Sequence, residues 1–308
     1  SEGTLLFMTE AKLSLVSRPP LHNALVPIHF NSVMEAIRGN LHALKHHPTA
    51  VELMDKTILD CTKENLTQRK NRFFLKGDPG AVLMVELVEK NESELKKQIA
   101  AMEAAMRASG LGYHYPVVYG KDISKVWALR KAGLGVLSNI PGDGRPVSVI
   151  EDTSVNVEVL EDYIKDFNKI LDGFGLECVY HAHISVGELH LRPILNLKDP
   201  KDVQLLHDIA LETARLVKKY RGSLSGEHGD GRLRGEFIQL MVGEKNYQLF
   251  REVKKIFDPK GIFNARKITD TPPMNTFLRY EPGHVSPEFD TWFDYSRFFP
   301  GDPGQSVP

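Results

Sequence analysis

The chain predicts an α+β fold: a largely antiparallel sheet with helices packed on one face. Two observations carry this expectation. Segments with the two-residue period of strands alternate with segments of helical period. Several neighbouring strands are joined by links too short for the crossover that a parallel pair needs. No fixed-period repeat or low-complexity tract interrupts the pattern.

The elements follow in order. Residues 5–7 and 11–16 read as two short strands about a turn at Thr9 and Glu10. SRPPLHNALVP reads as an extended linker, because Pro19, Pro20 and Pro27 each bias the preceding residue away from helix. Asn31 or Ser32 caps a helix running to about residue 47, with Val33, Ile37, Leu41 and Leu44 on one stripe. A strand at 50–54 and a short helix come next. AVLMVELVE is a strand, and NESELKKQIAAMEAAMRASG is a helix capped by Asn91 or Ser93 and closed at Gly110. YHYPVVY is again a strand. A helix around 125–131, a strand at 147–151, a helix at 157–171 and paired strands at 176–184 and 188–195 follow. A long helix from 200 to 220 then leads into SLSGEHGDGRLRGEF. After Ile268 the composition becomes proline- and aromatic-rich without periodicity, as in a tail laid over a surface or a linker.

Composition narrows the function classes. The 308 residues suffice for one large domain or two modest ones. Lys plus Arg is 39 and Asp plus Glu is 40, a net charge of -1, so there is no electrostatic footprint for nucleic acid or an anionic membrane. No apolar run approaches the roughly 20 residues of a transmembrane helix, and the first residues lack the charged start of a signal peptide. Cys61 and Cys178 fit no metal spacing and read as reduced, structural thiols of a cytosolic protein.

The chemistry concentrates in two stretches. In YHAHISVGELHLRP, strand alternation points His181 and His183 to one face. A reversal at Val186 and Gly187 sets His183 opposite His190 and His181 opposite Arg192. Ala182, Ile184, Leu189 and Leu191 then share the other face. Two imidazoles across a hairpin reach one divalent ion, and a carboxylate completes a three-ligand site with open positions. Glu227, in the glycine-rich loop, is the candidate carboxylate, and His228 beside it is placed to move a proton. Blander readings stand beside these. Strand histidines also serve as hydrogen-bonded structural residues, glycine-rich loops as mobile turns, and Arg130, Arg145, Arg232 and Arg234 as solvated charges. The loop is neither a P-loop nor a strand-fed G-x-G-x-x-G motif.

Taken together, these motifs resemble the C-terminal domain of FAD-linked oxidases. That family includes D-lactate dehydrogenases, the D subunit of glycolate oxidase and D-2-hydroxyglutarate dehydrogenase. SEGTL is similar to the last flavin-contacting loop of the family's FAD-binding domain. H-x6-H at His183 and His190 matches two metal ligands, SGEHGDG the third ligand and the adjacent histidine, and FDPKGIFNARKI the closing signature. The wording of LRKAGLG, IEDTSV and LHLRPILNL is most similar to the large branch fused to an iron–sulfur domain.

The resemblance implies a ferredoxin-like cap domain and oxidation of a D-2-hydroxy acid, such as D-lactate or D-2-hydroxyglutarate, with hydride transfer to FAD. It implies a divalent metal, commonly Zn²⁺, on His183, His190 and Glu227, with His228 as the base. Arg130 would bind the substrate carboxylate, while Ser1, Glu2, Gly3, Thr4 and Asn264 would lie near the flavin. Departures bear on the substrate. Ser185, Val186, Gly187 and Glu188 replace the usual G-D-G-N, Ile150 or Val149 stands where relatives often carry lysine, and Arg192 replaces an asparagine. Arg192 would suit a second carboxylate.

The implied organisation is the end of an FAD-binding domain at 1–27, a substrate domain at 28–268, and a tail at 269–308 toward a missing iron–sulfur domain. On that reading the chain is a fragment, inactive alone. Its partners would be a small 2-hydroxy acid, an electron acceptor that could bring it to a membrane periphery, and in a homodimer a second copy. The competing readings are a free-standing metal-dependent hydrolase using the same His/His/Glu set, and a non-catalytic interaction module.

Overall fold

The computed structural model describes residues 3–279, apart from 64, 139 and 141 and the side chain of residue 134. The strands are β1 (His22–Phe30), β2 (Ala50–Asp55), β3 (Ala81–Glu89), β4 (Val118–Tyr119), β5 (Arg145–Pro146), β6 (Ile150–Ser154), β7 (Cys178–His183) and β8 (Glu188–Leu195). The α-helices are α1 (Val33–Leu44), α2 (Lys56–Cys61), α3 (Glu92–Ala108), α4 (Lys121–Leu137), α5 (Leu160–Phe174), α6 (Pro200–Lys219), α7 (Ile238–Val242) and α8 (Glu244–Phe257). The eight strands form one sheet in the order β4-β1-β3-β2-β7-β8-β5, with β6 also on β8. Its strand pairs are antiparallel among the described residues, as expected.

Strand alternation divides the sheet's two faces. Val26, Ile28 and Phe30 of β1, Leu53 of β2, Leu83 and Val85 of β3 and Leu189 and Leu191 of β8 face the main core. Ile37, Met102, Phe167 and Ile209 from α1, α3, α5 and α6 complete that layer. Burying a side chain such as Phe30 or Phe167 contributes roughly 2–3 kcal/mol. Leu25, Met54, Met84 and Val179 face the other way, into a smaller cluster with Ile58 of α2 and Val126 and Leu129 of α4. That smaller cluster covers one end of the second face. The other end, on β2, β7, β8 and β6, carries polar side chains.

Local signals place most helices. Ser32, Asn91 and Asp199 accept backbone N–H bonds at the starts of α1, α3 and α6. Gly175, at φ 66°, ends α5 in a left-handed turn.

Several expectations are corrected. Residues 5–7 and 11–16 are not strands; period-2 alternation alone does not make one. The stretch read as a linker holds β1, and α4 is longer than the segment expected at 125–131. Pro27 sits inside β1, opposite Met84. Its missing N–H falls on the side where the N–H of His29 reaches His114 O at 3.0 Å. That side is away from β3, and β4 pairs there with Ala24 and Leu25, so the β1–β3 ladder loses no bond at Pro27. β1 therefore crosses the boundary expected at residue 27. Residues 269–279 pack back on the domain, with Met274 in the main core; residues 280–308 of the expected tail lie outside the described residues.

Candidate metal centre

The hairpin β7–β8 turns through a 3-10 turn at Ile184–Val186, closed by Gly187 at φ 73°. A Cβ on Gly187 would lie 1.9 Å from Val155 O, so glycine is required there on two counts. This wider turn shifts the register from the expected one by two residues. His183 faces Glu188, His181 faces His190, and Val179 faces Arg192. A slip of two preserves the faces. His181, His183, Glu188, His190 and Arg192 still share the polar side, and Ala182, Leu189 and Leu191 the core side.

Glu227 joins this group from the glycine-rich loop. Ligand atoms of His183, Glu188, His190 and Glu227 all lie within 4.8 Å of one another, and Glu151, His190 and His228 form a second such set. The expected trio is thus brought together. The fourth member, Glu188, appears in the sequence reading only as a departure from the family pattern.

The supporting residues are the larger omission. Glu52 of β2 receives His183 Nδ1 at 2.8 Å and Arg130 Nη2 of α4 at 2.6 Å. Donation from Nδ1 leaves His183 Nε2 as the lone-pair nitrogen, and it lies 3.5 Å from Glu227 Oε1. The Glu52 hydrogen bond pushes the His183 imidazole up from its ordinary range. Burial, with His183 and His228 nearby, lowers His190 to about 4, so this ring is neutral at pH 7. His190 Nδ1 is buried and has no hydrogen-bond partner.

Asp152 organises the loop. It sits at a β-bulge in β6, at φ 78° and fully buried. Its carboxylate accepts Ser225 Oγ at 2.5 Å, the Glu227 N–H at 2.8 Å and the His228 N–H at 3.0 Å, while its carbonyl accepts Gly226 N–H at 2.7 Å. Burial alone would raise this carboxyl; the donors from Ser225, Glu227, His228 and Glu188 outweigh burial and hold it below its ordinary value. Burial, the bond to Asp152 and the charge of Glu227 push Glu188 up to about 7.

The remaining expected residues are placed as follows. His228 stacks on His190 at 5.4 Å, with Nε2 3.3 Å from Glu227 Oε1. Arg130 is engaged with Glu52, and its buried Nε has no partner. Arg192 pairs with Glu151 on the neighbouring strand β6. Thr4 is fully buried, and its hydroxyl donates to the carbonyls of Asn264 and Lys267 at 3.0 and 3.1 Å. Asn264 Oδ1 accepts Lys267 Nζ at 2.5 Å. The hydroxyl of Thr4 therefore ties the segment beginning at Gly3 to the closing signature. Ser1 and Glu2 lie outside the described residues.

Most of the chain is similar to known proteins. The chain is 32% identical over 276 residues to the D-2-hydroxyglutarate dehydrogenase of Pseudomonas putida, across 87% of this chain and 27% of that protein. It is 31% identical over 279 residues to the Escherichia coli protein of the same name, with the same 87% and 27% shares. The chain thus spans about a quarter of the length of these curated relatives. A solved 4-ethylphenol oxidase from Gulosibacter chungangensis shares the fold at a TM-score of 0.57 and 14% identity, over 82% of this chain and 55% of that one. Residues 19–268 match the family described as FAD linked oxidases, C-terminal domain, and the chain belongs to that family.

Proposed function

We propose that this chain is the substrate domain of a flavin-dependent dehydrogenase that oxidises a D-2-hydroxy acid to the 2-oxo acid. The observation that carries the proposal is the convergence of His183, His190 and Glu227, from hairpin and loop, on one point of the sheet's polar face. The donor set fits a divalent cation: two imidazoles, a carboxylate oxygen, and a buried His190 Nδ1 with no hydrogen-bond partner. When bound, the metal supplies Lewis-acid polarisation of the substrate hydroxyl, and the flavin supplies the hydride acceptor.

The chain's own residues do the rest. Glu52 fixes the His183 tautomer, so that Nε2 faces the cation site. His228 accepts the hydroxyl proton at Nε2, the nitrogen on the side of Glu227. Arg130 steadies Glu52 and has its Nε left over for a substrate carboxylate. Arg192 of β8, two strands from Glu52 and held by Glu151, would suit the far carboxylate of a dicarboxylic substrate such as D-2-hydroxyglutarate. Family membership and the names of the relatives favour this over a free-standing hydrolase.

The test is anaerobic mixing of the flavin-bearing protein with D-2-hydroxyglutarate, D-lactate and D-malate. Flavin bleaching by at least one acid is expected, and its loss in His190→Ala and Glu227→Ala with flavin content intact. Unchanged bleaching in both variants would remove the metal from the mechanism. Ester or amide turnover without flavin would turn the assignment to the hydrolase.

A further inference from the structure

We propose that Glu188 is a fourth protein ligand of the cation site, making it a two-histidine, two-carboxylate set. This rests on the reading of His183, His190 and Glu227 as a metal site and adds a residue to it. Three features of the structure converge on Glu188.

The first is position. Glu188 pairs directly with His183 across the hairpin and lies two residues from His190 on the same face, so one sheet surface presents all three. Its carboxylate oxygen falls within 4.8 Å of the ligand atoms of both histidines and of Glu227. The second is an unused atom. Glu188 is only 7% exposed, and its Oε1 has no hydrogen-bond partner. A buried carboxylate oxygen without a donor is costly, and a cation among these four groups would satisfy it. The third is the way the loop closes on this side chain. A Cβ at Gly226 would stand 2.8 Å from Glu188 Cδ, so only glycine lets the backbone press this closely against the carboxyl. Asp152 holds the loop at Gly226, Glu227 and His228. The contact that brings Glu227 to the site therefore also confines Glu188.

A second anionic oxygen changes which cation the site prefers. Carboxylates suit harder ions such as Mn²⁺, whereas imidazoles bind Zn²⁺ well without them. Removing the charge of Glu188 should therefore weaken Mn²⁺ binding more than Zn²⁺ binding.

The experiment is calorimetry of this chain with Zn²⁺ and with Mn²⁺, on the wild type, Glu188→Gln and His190→Ala. Cobalt(II) absorption spectra of each report the coordination directly. Glutamine keeps the shape of Glu188 and can donate to Asp152, so a role limited to bracing the loop would survive the substitution. The expected result is one-to-one binding by the wild type and none by His190→Ala. Glu188→Gln should bind roughly 100-fold more weakly or worse, beyond the 10- to 100-fold range usual for outer-shell partners. Its cobalt spectrum should change, and the loss should be larger for Mn²⁺. If Glu188→Gln matches the wild type in affinity and spectrum while His190→Ala loses binding, Glu188 is a brace and this inference fails alone. Failure of the wild type to bind, or undiminished binding by His190→Ala, overturns this inference and the metal reading together.

Discussion

At the scale of single residues, the site depends on two carboxylates that lie outside the proposed ligand set. Glu52 selects the His183 tautomer, and Asp152 gathers three donors from residues 225, 227 and 228. Replacing Glu52 by Gln leaves an amide that no longer compels donation from Nδ1. Metal binding measured by calorimetry should weaken by about 10- to 100-fold with the fold intact; undiminished affinity would show that the tautomer is fixed by other means. Asp152→Asn keeps one acceptor oxygen and turns an NH₂ toward donors that need an acceptor. A stability loss of about 1–3 kcal/mol in chemical denaturation is expected, together with faster proteolysis within 223–237; wild-type values in both would show that the loop holds itself. The legibility of the site follows the same division. His183, His190, Glu227 and His228 lie in recognisable short motifs. Glu52 lies in none and depends on β2 pairing with β7; Asp152 lies in IEDTSV, but its role depends on a bulge that the motif does not announce.

Among the elements, β1 shows how burial overrides local chemistry. Seven of its nine residues are buried although Pro27 is among them, because the proline's missing donor points away from β3 and the β1–β3 ladder stays whole. Propensity alone reads that stretch as a linker, since its partner strand β3 is distant in sequence and nothing local connects the two. The hairpin register was legible only in its parity, because a 3-10 turn and a two-residue turn leave similar sequence signals. β1 also carries His29, fully buried, with Nδ1 2.9 Å from Pro27 O and Nε2 accepting the Lys76 N–H at 3.2 Å. Both nitrogens are committed to the neutral ring. Burial chiefly, with His114 adding a little, lowers His29 to about 4, from an ordinary 6.5. Between those values the unfolded chain binds a proton that the folded one does not. Stability from this group is therefore full above pH 6.5 and is lost as pH falls toward 4, with an upper limit of roughly 3 kcal/mol. Urea denaturation at pH 7 and pH 4.5, with the His29 ring followed by NMR, checks this; a ring that titrates near 6.5 in the folded protein would overturn it.

Across the whole molecule, the second face of the sheet divides the labour. Its β1–β3 end is sealed by α2 and α4 over Leu25, Met54 and Met84, and its β7–β8 end is left polar. The loop after α6 closes over the polar end, and there carboxylates and imidazoles meet. A cation would therefore act as the missing core of that end, joining a hairpin to a loop about forty residues further along. If so, its effect on unfolding should require both. At a hundredfold excess over its dissociation constant, a ligand that binds only the folded chain stabilises it by about 2.7 kcal/mol. For a chain of this length that is a rise of about 4 °C in the unfolding midpoint. The rise should appear with Zn²⁺, reverse with a chelator, and vanish in both His190→Ala and Glu227→Ala. A rise that persists in either variant would mean that the cation binds elsewhere, and that hairpin and loop are held together without it.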